Sequence, residues 1–219
     1  MTYAELLGIL KDRSEEKFRL FQKKLIFTKA EILGVRTPVL RKIAKSVQEE
    51  VFAFPDEYYE VTFIKLAVAA RLPYEKLIER LDGLVLSIDN WATCDTFKPV
   101  CIQKNKDLFL PYIERYFCRG EEFFQRFALV SLLNFYIEEK YLSLIERYLS
   151  EADTDKYYVY MAVAWLTAEV LVKFYPQGVA ILQSGILDKK THNKAIQKGI
   201  ESFRLNQEQK AFLKTLKIK

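Results

Sequence analysis

The sequence predicts an all-α protein, and three observations support this prediction. Seven Gly and six Pro in 219 residues are too few for the frequent turns of a β sandwich or for a phosphate-binding loop. Apolar residues recur at intervals of three and four along nearly the whole chain. Half of the residues are hydrophobic, which is enough for one substantial core or for a row of smaller stacked cores. Disorder as the main state is therefore excluded.

The apolar periodicity predicts about twelve helices, the first of them an amphipathic helix in MTYAELLGILKDR. Several starts are marked by residues that satisfy free amide groups at a helix N-terminus. These starts are Ser14 before Glu15 and Glu16, Thr37 before Pro38, the run Pro55-Asp56-Glu57, and Asn206 three residues before Gln209.

The predicted helices fall into pairs that are joined by breaks of only a few residues. The pairs are 73–86 with 90–104, 106–118 with 121–137, and 139–150 with 154–173. Short breaks make neighbouring helices antiparallel, and successive antiparallel pairs are typical of helical-repeat solenoids of the HEAT kind, an α-α superhelix. A four-helix bundle with extra helices is the alternative. Because no Gly/Ser linker divides the chain, residues 1–219 are predicted to form a single domain.

Charge is distributed unevenly along the chain. The net charge of +5 combines +4 in residues 1–50, −5 in residues 51–187 and +6 in residues 188–219. In a curved solenoid, the basic ends would place positive surface on both arms of a groove that a polyanion could occupy. The alternative is that the lysine-rich terminal helices only keep the ends of the solenoid soluble.

The sequence excludes several kinds of chemistry. His192 is the only histidine, so a Ser-His-Asp triad or a histidine-based zinc site is not expected, and no metal site is predicted. Cys94, Cys101 and Cys118 lack CxxC spacing and are expected to be free thiols in a reducing cytoplasm. Neither a signal peptide nor an apolar run long enough to span a membrane is recognised.

The segment SIDNWATCDTFKP contains an aromatic residue and a carboxylate that could act together. Trp91 and Asp95 are four residues apart, which places them one turn apart on the same face of a helix. A ring beside a carboxylate can hold a cationic sugar or base by cation–π and charge attraction. From the spacing alone, a buried Trp and a solvated Asp is the simpler interpretation.

Two further segments contain candidate site residues: the first has a single cation among aromatic residues, and the second has aromatic residues at helical spacing. Arg126 interrupts the apolar helix FFQRFALVSLLNFYI, where it either reaches back to solvent or faces a groove to meet a carboxylate or phosphate. Tyr157, Tyr158, Met161 and Trp165 recur at helical spacing, and such a stripe is usually part of a core.

Basic residues that could contact phosphates occur in two places. Near the N-terminus they are Arg36, Arg41, Lys42 and Lys45, and near the C-terminus they are Lys194 and Lys198. A solvated helix face is the alternative for each group. For His192, a surface or capping role is expected.

Taken in order, four elements resemble the AlkD family of HEAT-like-repeat proteins, which are DNA alkylation repair enzymes. The elements are ILGVRTPVLRKIAK, IDNWATCD, FFQRFALV and YYVYMAVAWLTAEVL, and the resemblance covers essentially the whole chain. It implies removal of N3- and N7-alkylated purines from double-stranded DNA without a metal or cofactor. Asp95 would be the catalytic carboxylate, Trp91 and Trp165 aromatic walls, and Arg126 an anchor on a phosphate, with Tyr157 and Tyr158 near the lesion.

Three functional hypotheses follow from these patterns. The first is an alkylpurine DNA N-glycosylase that acts through Asp95. The second is a non-enzymatic, structure-selective DNA-binding protein, since the family also includes relatives that bind branched DNA with little glycosylase activity. The third is a scaffold for protein partners. A monomer is expected, since the ends of the solenoid are polar.

Overall fold

The computed structural model describes all 219 residues, and 72% of them are helical. Thirteen α-helices and three short 3-10 helices are present, and no strand is formed. The predicted all-α helical-repeat fold is therefore confirmed, and the number of α-helices is one more than the sequence predicted. The structure contains no helix with the length and hydrophobicity that a membrane span requires.

The chain divides into two compact units, residues 1–105 and residues 106–219. The single-domain organisation of 1–219 stays a prediction. The first unit contains α1 (Tyr3–Asp12), α2 (Glu16–Leu25), α3 (Thr37–Ser46), α4 (Tyr59–Ala69), α5 (Tyr74–Leu86) and α6 (Trp91–Thr96), with 3-10 helices at Glu49–Ala53 and Val100–Lys104. The second unit contains α7 (Lys106–Cys118), α8 (Glu122–Phe135), α9 (Leu142–Glu151), α10 (Tyr157–Lys173), α11 (Tyr175–Gln183), α12 (Lys189–Glu201) and α13 (Gln207–Thr215), with a 3-10 helix at Glu139–Tyr141.

Two of the predicted helix starts are confirmed. Asn206 caps α13 through a reciprocal pair of hydrogen bonds with Gln209, and α3 begins at Thr37 with Pro38 in its first turn. Pro38 fits there because the first turn of a helix leaves its amide groups without helical partners.

At the other two predicted starts a helix begins within a few residues, but the predicted cap does not form. Ser14 does not cap α2; its hydroxyl donates to the carbonyl of Lys11, and Glu15 precedes the helix instead. The run at 55–57 precedes an extended residue, Tyr58, which pairs with Glu31 before α4 begins at Tyr59. Extended pairing between distant segments overrides the local capping pattern at this point.

The first unit is organised around α4, which packs on α3, α5 and α6. Nearly every residue of α4 is buried, including the carboxylate of Glu60, which is 0% exposed. Its Oε1 accepts the backbone N–H groups of Leu33, Gly34 and Val35 at 3.1, 2.8 and 3.2 Å. Burial raises the pKa of Glu60, and these N–H groups oppose that effect. Glu60 thus fixes the segment that leads into α3.

Gly34 explains the glycine of the ILGVRTPVLRKIAK element. Its φ of +90° lies in the left-handed region, and a Cβ at this position would lie 2.8 Å from the Arg19 backbone. Only glycine allows the segment before α3 to approach α2 so closely. The element therefore positions α3 and, with it, Arg41.

The second unit is organised around α10, which packs most extensively on α12, α8 and α11. The predicted pairing of 106–118 with 121–137 is confirmed by the packing of α7 on α8. The predicted pairing of 139–150 with 154–173 is not a main contact, because the faces of α10 are occupied by these other helices. Ten of the seventeen residues of α10 are buried.

Candidate functional site

Helix α6 carries the first pair of candidate residues. The Asn90 side chain caps the helix by accepting the N–H of Thr93 at 3.0 Å. Ala92, Thr93 and Cys94 are buried, so the helix packs against its neighbours through these three residues. Trp91 and Asp95 lie one turn apart on the other side, where Trp91 is exposed and Asp95 is half-buried. The simpler interpretation of Trp91 as a buried core residue is wrong.

The Trp91 ring has a fixed position although 36% of the residue is exposed. Its Nε1–H donates to the carbonyl of Leu25, the last residue of α2, at 2.9 Å. A carbonyl at a helix C-terminus lacks a helical partner and is a good acceptor. This hydrogen bond orients the indole while it leaves part of the ring open to solvent.

Asp89 holds the chain just before α6, a role that helical periodicity does not predict. Its carboxylate accepts the Thr28 hydroxyl at 2.8 Å and the Lys29 backbone N–H at 2.7 Å. It also accepts the side-chain amide of Asn90 at 2.9 Å. The start of α6 is therefore tied to the end of α2 at Leu25 and to the segment after α2 at residues 28–29. The only sequence signal was the acidic residue before the helix.

Arg126 on α8 is buried, with only 5% of the residue exposed. Its Nη1 donates to the carbonyl of Tyr158 at 2.6 Å. Its neighbours Phe124 and Phe127 are also buried. One of the two predicted alternatives was that the guanidinium reaches back to solvent, and its burial shows that this alternative is wrong. Its contact with a phosphate stays a prediction.

Glu122 and Arg126 together hold the backbone of Tyr158, and the spacing of the sequence does not predict this contact of Glu122. Its carboxylate accepts the Tyr158 backbone N–H at 2.7 Å, while Arg126, one turn further along α8, holds the Tyr158 carbonyl. An acidic group at a helix N-terminus also compensates the helix dipole. The first turn of α10 is thereby fixed to α8 by two charged side chains.

The aromatic stripe on α10 is its least buried side. Tyr157 is 56% exposed, and Tyr158, Met161 and Trp165 are half-buried on a helix that is otherwise mostly inside the unit. The Tyr157 ring meets the Tyr158 ring edge to face at 5.1 Å. None of the four is buried, so the alternative that this stripe is part of the core is wrong; Glu169, Val172 and Lys173 are the other residues of α10 that solvent reaches.

The predicted phosphate-binding residues differ in what they contact. Arg36 forms a two-point ion pair with Glu15, at 2.7 and 2.8 Å, so its charge is already compensated. Arg41, Lys42 and Lys45 are exposed on α3 and form no ion pair with a carboxylate of the chain. On α12, Lys194 and Lys198 lie one turn apart, and Lys194 donates to Gln197 at 3.0 Å. A contact of any of them with DNA stays a prediction.

His192 and the cysteines lie outside these groups. His192 is buried, and its Nε2 hydrogen-bonds the carbonyl of Leu216, the C-cap residue that follows α13, at 2.8 Å. The predicted capping role fits this contact, whereas the predicted surface position is wrong. Cys94, Cys101 and Cys118 are free thiols, as expected.

Comparison with known proteins identifies the family. A family model described as DNA alkylation repair enzyme matches residues 6–170. The matched segment runs from α1 to α10 and includes Trp91, Asp95, Arg126 and Trp165, whereas Lys194 and Lys198 lie beyond it. A search of curated proteins finds no match.

Proposed function

Because the chain belongs to the DNA alkylation repair enzyme family, we propose that it is a DNA N-glycosylase that removes N3- and N7-alkylated purines. The observation that carries this proposal is the pair on α6: a half-buried carboxylate one turn from an exposed, oriented indole. Such a pair is suited to a site where positive charge develops. The substrate is double-stranded DNA that contains an alkylated base, and the acting form is a monomer.

The chemistry suits the residues on α6. An N7-alkylated purine already carries a positive charge, so it leaves without protonation by a general acid. As the glycosidic bond breaks, the deoxyribose gains oxocarbenium character, which the Asp95 carboxylate stabilises electrostatically. The same carboxylate orients the water that attacks the sugar carbon. The Trp91 face attracts the cationic sugar and base.

The family resemblance assigns the remaining roles to residues of α8 and α10. Trp165 is a second aromatic wall, and Tyr157 and Tyr158 lie near the lesion. Arg126 anchors a backbone phosphate, which suits a permanently charged guanidinium that two-point contacts can orient. Phosphates along the strand are contacted by Arg41, Lys42, Lys45, Lys194 and Lys198, and by Arg36 once a phosphate replaces Glu15 as its partner.

The test is release of free base from a duplex with a single N7-methylguanine. Asp95→Asn keeps the shape of the side chain and removes its charge, so we expect release to fall at least about 100-fold. Affinity for the same duplex, measured by fluorescence anisotropy, should change by less than about twofold. Asp12→Asn is the matched control, because Asp12 is an exposed aspartate at the end of α1, and it should release base like the wild type.

Wild-type protein that releases no more base than Asp95→Asn would contradict the glycosylase proposal. If that protein still binds DNA, the non-enzymatic DNA-binding function takes its place. Arg41, Lys42 and Lys45 favour this second function, since exposed cations without ion pairs attract phosphates whether or not a bond is broken. If neither binding nor release is found, a scaffold for protein partners remains.

A further inference from the structure

A cavity of about 240 Å³ lies between α3, α4 and α6 in the first unit. Its rim and its floor differ in chemistry. The rim is formed by Arg41 and Lys45 of α3, by Arg71 after α4, and by Thr96 at the end of α6. The floor is apolar and is formed by Ala44, Phe63, Leu66, Ala67 and Ala70.

The three cations of the rim have no carboxylate partner in the chain. Arg41 and Lys45 form no ion pair, and Arg71 donates to the backbone carbonyl of Ala44. This differs from the usual state of arginine in the protein, since six arginines are paired with glutamates: Arg19, Arg36, Arg80, Arg119, Arg147 and Arg204.

Such an arrangement costs stability unless an anion compensates it. Arg41 and Lys45 are four residues apart on α3, and like charges at this spacing repel each other. Arg71 adds a third positive charge at the same cavity. A phosphate would neutralise this cluster and accept hydrogen bonds from the guanidinium groups.

The floor indicates that the ligand has an apolar part beside its anionic group. A cavity of this volume holds about eight waters at roughly 30 Å³ each, which is more room than a bare phosphate needs. Ala67 and Ala70 are half-buried, and their small side chains leave the floor open to a flat ring or a sugar. A nucleotide has both parts.

We propose that this cavity binds one unpaired nucleotide of a DNA strand, with its phosphate against Arg41, Lys45 and Arg71 and its sugar and base on the floor. A base that is paired and stacked in a duplex is not available to fill a cavity, so the occupant belongs to a strand end, an overhang or a gap. The proposal rests on the proposed function for DNA as the partner. Thr96 connects the cavity to α6, the helix that carries Asp95.

The test compares two fluorescent duplexes with equal numbers of phosphates, one blunt and one with a short thymidine overhang. We expect wild-type protein to bind the overhang duplex about tenfold more tightly in fluorescence anisotropy. Arg71→Gln removes one rim charge, and Ala67→Met fills the floor without changing charge. Each should reduce the preference to less than about twofold while affinity for the blunt duplex stays within about threefold.

Arg13→Gln is the matched control, because Arg13 is an exposed arginine of the same unit that forms no ion pair and lies away from the cavity. It should lower both affinities equally and keep the preference. A wild type without preference, or a preference that survives either Arg71→Gln or Ala67→Met, overturns the proposal. If the blunt duplex is bound and N7-methylguanine is released, only this inference fails; if no DNA is bound, the proposed function fails as well.

Discussion

At the scale of single residues, the candidate site depends on groups that do not themselves react. The Trp91 indole is oriented by the Leu25 carbonyl, and the start of α6 is held by Asp89. A reacting sugar needs its partners in place before the bond breaks, because groups that are already oriented cost no reorganisation in the transition state. The orienting contacts are therefore expected to affect rate more than DNA affinity.

Trp91→Phe removes the hydrogen bond of the Trp91 ring while it keeps an aromatic ring at this position. Phenylalanine keeps an aromatic face but leaves the Leu25 carbonyl without this donor, which should cost about 1 kcal/mol of stability. Calorimetry should show a fall in Tm of about 2–4 °C. Base release should fall as well, and it should fall further in Trp91→Ala because that substitution also removes the ring.

A matched control for Trp91→Phe is Phe203→Leu, since Phe203 is an aromatic residue that is fully exposed in the second unit. It should leave both Tm and base release unchanged. Trp91→Phe with wild-type Tm and wild-type base release would show that the bond to Leu25 does not orient the ring.

At the scale of secondary-structure elements, buried or bidentate carboxylates join helices that are distant in sequence. Glu60 holds residues 33–35 to α4, and Glu114 of α7 binds Arg147 and Tyr148 of α9. Periodicity predicts the helices but does not show which carboxylate joins them. These links fix the positions of α3 and α9 in their units.

Glu60→Gln removes the charge of the acceptor and puts an amide nitrogen in place of the second oxygen, which accepts the Leu33 N–H. The buried N–H groups then lose a charged acceptor, and the new amide donor in this buried site has no acceptor there, so we expect a loss of about 3 kcal/mol of unfolding free energy. Chemical denaturation measures this change. Glu79→Gln, at an exposed glutamate on α5 that forms no ion pair, should change stability by less than about 0.5 kcal/mol. Equal effects of the two substitutions would contradict the proposed role of Glu60.

The contacts of Glu114 predict that the link between α7 and α9 loses its contribution to stability at acid pH. Hydrogen bonds from Arg147 and Tyr148 lower the pKa of Glu114 from its ordinary value of 4.5 to about 2. A lowered carboxyl pKa means that the unfolded chain takes up a proton first, so the stabilisation is complete above pH 4.5 and is lost as pH falls towards 2. Both side chains are 41% exposed, so solvent screening limits the contribution to about 1 kcal/mol.

Glu114→Gln should therefore be less stable by about 1 kcal/mol at neutral pH and should lose less stability than the wild type between pH 4.5 and 2. Urea denaturation at a series of pH values measures this difference. Glu146→Gln, at an exposed glutamate on α9, should follow the wild-type curve. Parallel curves for Glu114→Gln and the wild type would contradict the link.

The sequence predicted the helices and the candidate residues better than their contacts. Local signals were sufficient for the capping box at Asn206 and for the shared face of Trp91 and Asp95. They failed at Ser14, where Glu15 is held in an extended conformation by the carbonyl of Gly34. Asp89 was missed because its partner Thr28 is 61 residues away, and no helical period connects such positions.

At the scale of the whole molecule, the two basic segments of the sequence lie in different units. The basic segments are 1–50 and 188–219, and the first and second units each include one of them. In the first unit the exposed cations of α3 border a cavity, whereas in the second unit Lys194 and Lys198 lie on α12. The two basic segments thus have different surroundings and need separate tests.

Lys194→Gln with Lys198→Gln tests whether these two lysines of the C-terminal basic segment contact DNA. If both lysines neutralise phosphates, the slope of log K against log salt concentration should become less negative by about 1.8. Anisotropy titrations over a range of salt concentrations measure this slope. Lys210→Gln with Lys214→Gln on α13 is the matched double control and should have a smaller effect. An unchanged slope for the first pair would favour the alternative that these lysines only aid solubility.

Each of the two units contains one of the two tryptophans, Trp91 in the first and Trp165 in the second. The protein therefore has one intrinsic fluorophore per unit, and a single substitution at either position makes the emission spectrum report on the other unit alone. In the Trp165→Phe background, the emission wavelength of Trp91 reports whether its indole remains bonded to the end of α2. Binding of DNA and loosening of α2 then become separately visible in unlabelled protein.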